Sequence, residues 1–120
     1  MKTHKDLDVW QGSMKLVVEI YRITKCYPKE ETFGLVSQMR RAAVSVPSNI
    51  AEGAARKHTN EYMQFLYVSQ GSLSELETQC LISLSLQYLK DENSKIIMEM
   101  IRITRAQLSR LIAVLYNKRT

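Results

Sequence analysis

A proline stands at the centre of a stretch whose apolar residues otherwise keep helical register. Residues 40–57 read Arg-Arg-Ala-Ala-Val-Ser-Val-Pro-Ser-Asn-Ile-Ala-Glu-Gly-Ala-Ala-Arg-Lys. Leu35, Met39, Ala43, Val46, Ile50 and Ala54 fall three or four residues apart, on one face of a helix. Pro47 lacks the N–H that would bond the Ala43 carbonyl, and its ring crowds that carbonyl, at about 3 kcal/mol in a helix interior. The stripe nevertheless keeps its phase on both sides of the proline, which two unrelated helices have no reason to do. One helix kinked at Pro47 is expected. If the chain breaks instead, Asn49-x-x-Glu52 is placed to cap a separate second piece.

The rest of the chain extends this pattern. Glycine and proline are scarce (4 and 2 of 120 residues), and no run alternates β-branched with polar residues, so the class is all-α. Three further stripes are legible. Leu16, Val17, Ile20, Ile23 and Thr24 place a first helix at about residues 8–25, started by Asp6 or Asp8 and closed by Pro28. The proline-bearing second helix spans about 31–56. A third, capped by Thr59, runs over about 60–89, with Tyr62, Phe65, Leu66, Ser69, Leu73, Leu76, Cys80 and Leu84 near heptad spacing. A turn at 90–94 leads to a fourth helix ending near 117, with Ile97, Met100, Ile101, Thr104, Leu108, Leu111 and Leu115 inward. Short connections between long amphipathic helices predict a single domain over residues 1–120, an antiparallel up-down four-helix bundle.

Some apolar residues exceed what one core needs. Leu81, Ile82, Leu86 and Leu89 on the third helix, and Ile96, Ile103, Ile112 and Val114 on the fourth, lie off the main stripes. Since a bundle core uses about a 100° stripe per helix, they point to a second buried surface made by self-association; a thick core with exposed leucines is the alternative. Gly71 and Ser72, with Ser69 and Ser74, form a small-residue patch suited to close helix approach. Cys26 and Cys80 are isolated, and neither belongs to a disulfide framework. No apolar run reaches the roughly 18–20 residues that cross a bilayer, and no signal core follows the first residues. A cytoplasmic protein without a membrane partner is expected.

The formal charge is +5, and its distribution says more than its sum. Between Lys57 and Lys90 there are only acids, Glu61, Glu75 and Glu77; after Glu99 there are only bases, Arg102, Arg105, Arg110, Lys118 and Arg119. Either neighbouring helices complement one another, or the basic end joins Arg40, Arg41, Arg56 and Lys57 in a surface for nucleic-acid phosphates. No stacking platform, helix-turn-helix or zinc finger is evident, so contact would be backbone-dominated and salt-sensitive.

No Glu-x-x-His pair, phosphate-binding loop or dinucleotide fingerprint occurs, so no catalytic residue, cofactor or metal is expected. The best polar constellation is Ser45, Asn49, Glu52 and Arg56 on one face, with Arg41 nearby. It reads as a structural network first, a ligand or nucleic-acid contact second, and a nuclease centre using Glu52 last, because a lone carboxylate is a poor metal site.

The same residues carry a family resemblance. Asp-Leu-Asp-Val-Trp at 6–10, Tyr-Pro at 27–28, Phe-Gly-Leu at 33–35, Gln-Met-Arg-Arg-Ala-Ala-Val-Ser-Val-Pro-Ser-Asn-Ile-Ala-Glu-Gly at 38–53, and Gly-Ser-Leu-Ser-Glu-Leu-Glu-Thr at 71–78 are similar in order and spacing to the bacterial 23S rRNA intervening-sequence proteins. That family includes the accessory variability proteins of diversity-generating retroelements. Gln87 departs from it, standing where glycine is frequent, and Cys80 stands where leucine is usual. The resemblance implies a four-helix protomer assembled as a homopentamer, a basic surface for RNA or DNA, and a protein partner such as a reverse transcriptase. It implies no enzymatic activity. Ser45, Pro47, Asn49, Glu52 and Gly53, with Arg40, Arg41 and Arg56, are carried over as signature positions. The expected function is a non-catalytic, oligomeric nucleic-acid-binding protein or adaptor; a scaffold without nucleic-acid binding is the alternative.

Overall fold

Helices form where the stripes predict them, and each buries its stripe. The computed structural model describes residues 2–118. Helices α1 (Asp8–Thr24), α2 (Leu35–Ala54), α3 (Thr59–Ser85) and α4 (Asp91–Lys118) are joined by short connections, and no strand occurs among the described residues. The helices pack in the ring α1–α2–α3–α4, with the most extensive seam between α2 and α3. Neighbours run antiparallel. Arg22 near the end of α1 reaches Asn93 at the start of α4 (3.2 Å), whereas Gly12 near its beginning lies beside Gln107. Likewise Met39 of α2 meets Ser83 of α3 at 3.5 Å, while Gly53 packs against Tyr62 and Phe65. The bundle measures 49 × 24 × 24 Å. Leu16, Ile20, Met39, Ile50, Leu66, Leu73, Leu76, Ile97, Ile101 and Leu108 fill its axis with almost no exposure.

Helix α2 runs unbroken through the buried Pro47. Asn49 starts no new helix: its amide donates to the Ser45 carbonyl (2.8 Å) and hydroxyl (2.9 Å). From α3, Ser69 donates its buried hydroxyl to the Val46 carbonyl at 2.9 Å. The neighbouring helix thus brings a donor into the segment where proline has removed one, and tertiary packing holds what propensity opposes.

Helix ends depart from the sequence expectation by a few residues, each for a local reason. Asp6 closes a 3-10 turn over His4–Asp6 by accepting from the Thr3 amide at 2.7 Å, so Leu7 and not an aspartate precedes α1. Helix α2 begins at Leu35 and not at Glu31, because Lys29–Glu31 form another 3-10 turn and Gly34 leaves the helical region. Glu31 caps α2 from outside, accepting from the Leu35 amide at 3.2 Å. Thr59 is the first residue of α3, with His58 at the cap. Helix α4 starts at Asp91, so most of the expected turn at 90–94 is its first turn, where Asp91 and Glu92 suit the helix dipole.

Helix α3 stops at Ser85 and not at residue 89, because Gln87 adopts a left-handed conformation with φ 66°. The Tyr88 amide bonds the Ser83 carbonyl (2.9 Å) and the Gln87 amide bonds that of Leu84 (3.0 Å), a Schellman closure. This reversal carries Leu89 back into the core. Left-handed backbone costs a residue with a Cβ about 1–2 kcal/mol, and glycine's freedom in the unfolded chain offsets part of any relief. Gln87→Gly is therefore expected to raise stability by about 0.5–1 kcal/mol. The check is a higher urea midpoint at unchanged slope; a lower midpoint contradicts it.

The surplus apolar residues divide. Leu89 and Ile112 are buried in the protomer, which corrects their placement on a second surface. Leu81, Ile82, Leu86, Ile96, Ile103 and Val114 remain roughly half exposed, as does Val68. A Cβ added at Gly71 would meet no neighbouring element within 4 Å, so the close contact expected of this patch falls to Ser69 and Ser72.

Candidate nucleic-acid interface

The polar strip of α2 is hydrogen-bonded largely within the protein. The Ser45 and Ser72 hydroxyls meet at 2.8 Å across the α2–α3 seam, and Asn49 holds Ser45 from behind. Glu52 does not join this network; its carboxylate pairs with Arg56 at 3.3 Å, one turn on. Arg56 also lies over the Phe65 ring, 4.7 Å from its centroid. Pro47 is buried on the α1 side of α2, and Gly53 is buried against α3. Ser45, Asn49 and Gly53 thus serve the seam, while Glu52 and Arg56 form an exposed pair. Among the described residues no three His, Cys, Asp or Glu side chains converge as a metal-holding group.

The candidate cations are not brought into one patch. Arg105 reaches across to Glu77 at 2.8 Å, joining α4 to α3, so part of the charge segregation is complementarity between neighbouring helices. Arg102 pairs with Glu99 on its own helix. Their mutual bonding holds the Glu99 carboxyl below its usual range and raises Arg102. Lys57, beyond α2, and Lys118, at the end of α4, belong to one end of the bundle, and Arg110 lies beside Asp8 and Val9 of α1. Arg40 and Arg41 lie nearer the opposite end. Arg119 falls outside the described residues. Arg40, Arg41, Lys57, Arg110 and Lys118 take part in no ion pair among the described residues.

Arg40 and Arg41 open onto a groove of about 660 Å³ on the outer face of α2. Its lining adds Tyr21 from α1, Thr32 and Phe33 from the connection before α2, and Val36, Ser37, Val44, Ser45, Ser48 and Asn49 from α2 itself; none is a carboxylate. Arg40 is fixed in place. Its guanidinium lies 4.5 Å from the Tyr21 ring centroid, and it donates to the Thr24 hydroxyl (3.0 Å) and the Tyr21 carbonyl (3.4 Å). Phe33 is 96% exposed. The available signal is a phenylalanine beside Gly34 and off the apolar stripe of the second helix, whose expected start at about residue 31 hid it.

Cys80 is buried in the core, and desolvation, aided by the charge of Glu77, pushes its thiol up to about 12. It behaves as a small hydrophobe. Cys26 is exposed.

These features define an all-helical, four-helix protein with cations scattered on its outer surface. The chain belongs to the 23S rRNA-intervening sequence protein family, whose model matches residues 5–110. Its fold is similar to the crystal structure, at 1.70 Å, of a protein of unknown function from the S23 ribosomal protein family of Bacteroides thetaiotaomicron, with a TM-score of 0.80 and 20% identity over 87% of this chain and 97% of that one. At that identity the likeness speaks for the fold alone. No curated protein matches the chain. No helix among the described residues is long and apolar enough to cross a membrane.

Proposed function

We propose that this chain is a non-catalytic, self-associating bundle that binds nucleic acid through backbone phosphates. The observation that carries the reading is that, of the candidate cations, Arg40, Arg41, Lys57, Arg110 and Lys118 make no ion pair among the described residues, on a chain of charge +5. Uncompensated cations attract phosphates and release their counterions, so affinity is salt-dependent. Self-association is supported by the half-exposed Val18, Val68, Leu81, Leu86 and Ile96, spread over three helices. The homopentamer, and a protein partner such as a reverse transcriptase, rest on family resemblance. Without phosphate binding, the same apolar surfaces describe a pure scaffold.

The family takes its name from 23S rRNA intervening sequences, so a structured RNA and a duplex DNA are the first probes. Fluorescence anisotropy at several salt concentrations is expected to show binding that weakens as salt rises. Charge reversal at Lys57, Arg110 and Lys118 should weaken it for all sequences alike, reducing the log–log salt slope by about 0.7–0.9 for each phosphate no longer neutralised. Arg102 and Arg105 are poorer targets, since reversing them also sets like charges against Glu99 and Glu77. No binding at low salt sinks the reading and leaves the scaffold; binding indifferent both to salt and to reversal of all five cations overturns its phosphate basis.

A further inference from the structure

We infer that the outer groove of α2 is a binding site for single-stranded nucleic acid, with one unpaired base stacked on Phe33 and the adjoining phosphate on Arg41; the inference rests on the nucleic-acid reading above. Phe33 presents its ring almost completely to solvent, a costly position for an aromatic without an occupant. It lines the groove together with Arg41 and Ser37, the first of two turns of α2 with an outward polar face. Ser37 and Arg41 follow one another at four-residue spacing, a rise of about 6 Å along the helix, and Ser48 lines the same groove two turns beyond Arg41. Cation and hydroxyls therefore form a track leading away from the ring.

The chemistry of the track favours an anion carrying flat rings. Arg41 makes no ion pair or hydrogen bond among the described residues. Arg40 spends donors on Thr24 and Tyr21, and its five N–H groups leave others for a ligand. Being held by those bonds and by the Tyr21 ring, it loses little freedom on binding. No carboxylate lines this groove; Phe33, Ser37 and Arg41 also border the adjoining smaller groove, whose one carboxylate, Glu75, accepts from the Gln79 amide at 3.4 Å and makes no ion pair with Arg41. A duplex hides its base faces, so stacking on Phe33 requires an unpaired base. An acidic protein segment would satisfy the arginines but has no need of the ring.

The test compares a fluorescein-labelled oligouridine of about 12 nucleotides, within the 4–16 nucleotides that single-strand sites cover, with a duplex RNA of equal length. Phe33→Ala should weaken oligouridine binding by about 5- to 150-fold, the effect of one base–aromatic stack, and leave duplex affinity unchanged. Phe33→Trp should retain the single-strand affinity. Arg41→Gln should weaken oligouridine binding and flatten its salt slope by about 0.7. Removing so exposed a ring leaves the core intact, so loss of folding does not confuse the result. If the full chain binds neither probe at low salt, the nucleic-acid reading fails and this inference with it. If it binds but Phe33→Ala changes nothing, or weakens both probes equally, the inference alone is overturned. A fall in oligomer mass by light scattering for Phe33→Ala also overturns it, because the ring would then be a subunit contact.

Discussion

Leu73→Ala is expected to lower stability by about 2–5 kcal/mol, the range for truncating a fully buried leucine. Leu73 sits at the middle of α3, wholly inaccessible, in a core fed by all four helices. Removing its terminal carbons loses their transfer free energy and leaves a void between rigid helices that collapse only partly. A bundle of this size has a total margin of about 5–15 kcal/mol, so the variant forfeits a large part of it. Its thermal midpoint should fall by at least roughly 5 °C. Leu81→Ala is the matched control: the same chemistry on the same helix, but with the side chain 51% exposed. Within a protomer it should cost about 0.5 kcal/mol or less, and its effect should appear in oligomer mass. Both should be unfolded at equal protein concentration, since self-association raises apparent stability by mass action. A Leu73→Ala loss below about 1 kcal/mol would mean that the core is far more plastic than close packing allows.

The contrast between those leucines marks how far the sequence could be read. Periodicity places Leu73 inward and Leu81 outward correctly, because the phase of a long helix is set by many residues at once. It fails where the chain leaves the helix. Leu89 looks like surplus surface only if α3 continues to residue 89; the left-handed turn at Gln87 ends the helix and turns that side chain inward. Nothing in the residue type announces the turn, since glycine is the usual occupant and glutamine stands there. Ile112 is misplaced for another reason: its angle lies at the edge of the stripe, on the side of Arg105 and Ser109, where burial depends on how closely α3 approaches α4. The acid-then-base order of α3 and α4 is legible, but its meaning is not. Only the structure shows Arg105 spent on Glu77 and Arg41 left without an ion-pair partner among the described residues.

The same distinction reorganises the signature segment. Read as sequence, Ser45, Asn49, Glu52 and Arg56 share a polar face and invite a joint role. In the fold they separate into two sets, because α2 is gripped by α3 along one edge and open along the other. Ser45 is bound to Ser72 across the seam and to Asn49 on its own helix, and Ser69 secures the carbonyl before Pro47. The segment's small and polar residues are thus explained by a close α2–α3 seam carrying a proline. What remains available to a partner is the outer edge, where Arg41, Ser37 and Ser48 face the groove.

Gly53→Ala tests that seam at its tightest point and is expected to destabilise the protein by about 1–3 kcal/mol, as overpacking does in a well-filled core. A Cβ built on Gly53 falls 2.9 Å from the Phe65 Cβ, 2.9 Å from Tyr62 Cδ1 and 3.1 Å from the Tyr62 carbonyl oxygen. Two of these atoms are fixed to the backbone of α3, so relief requires the helices to move apart, not a rotamer to change. Helix propensity works in the opposite direction, favouring alanine by up to about 1 kcal/mol, and the prediction is that sterics win. Gly71→Ala isolates the propensity contribution: it too is a glycine within a helix, but an added Cβ meets nothing within 4 Å. That variant should be more stable by about 0.5–1 kcal/mol. Opposite signs for the two glycines in parallel urea titrations are the expected result. If Gly53→Ala is stabilising, α2 and α3 do not approach as closely as the contacts around Gly53 require. The seam would then have slack, and Ser69 could not hold the Val46 carbonyl at hydrogen-bond distance beside Pro47.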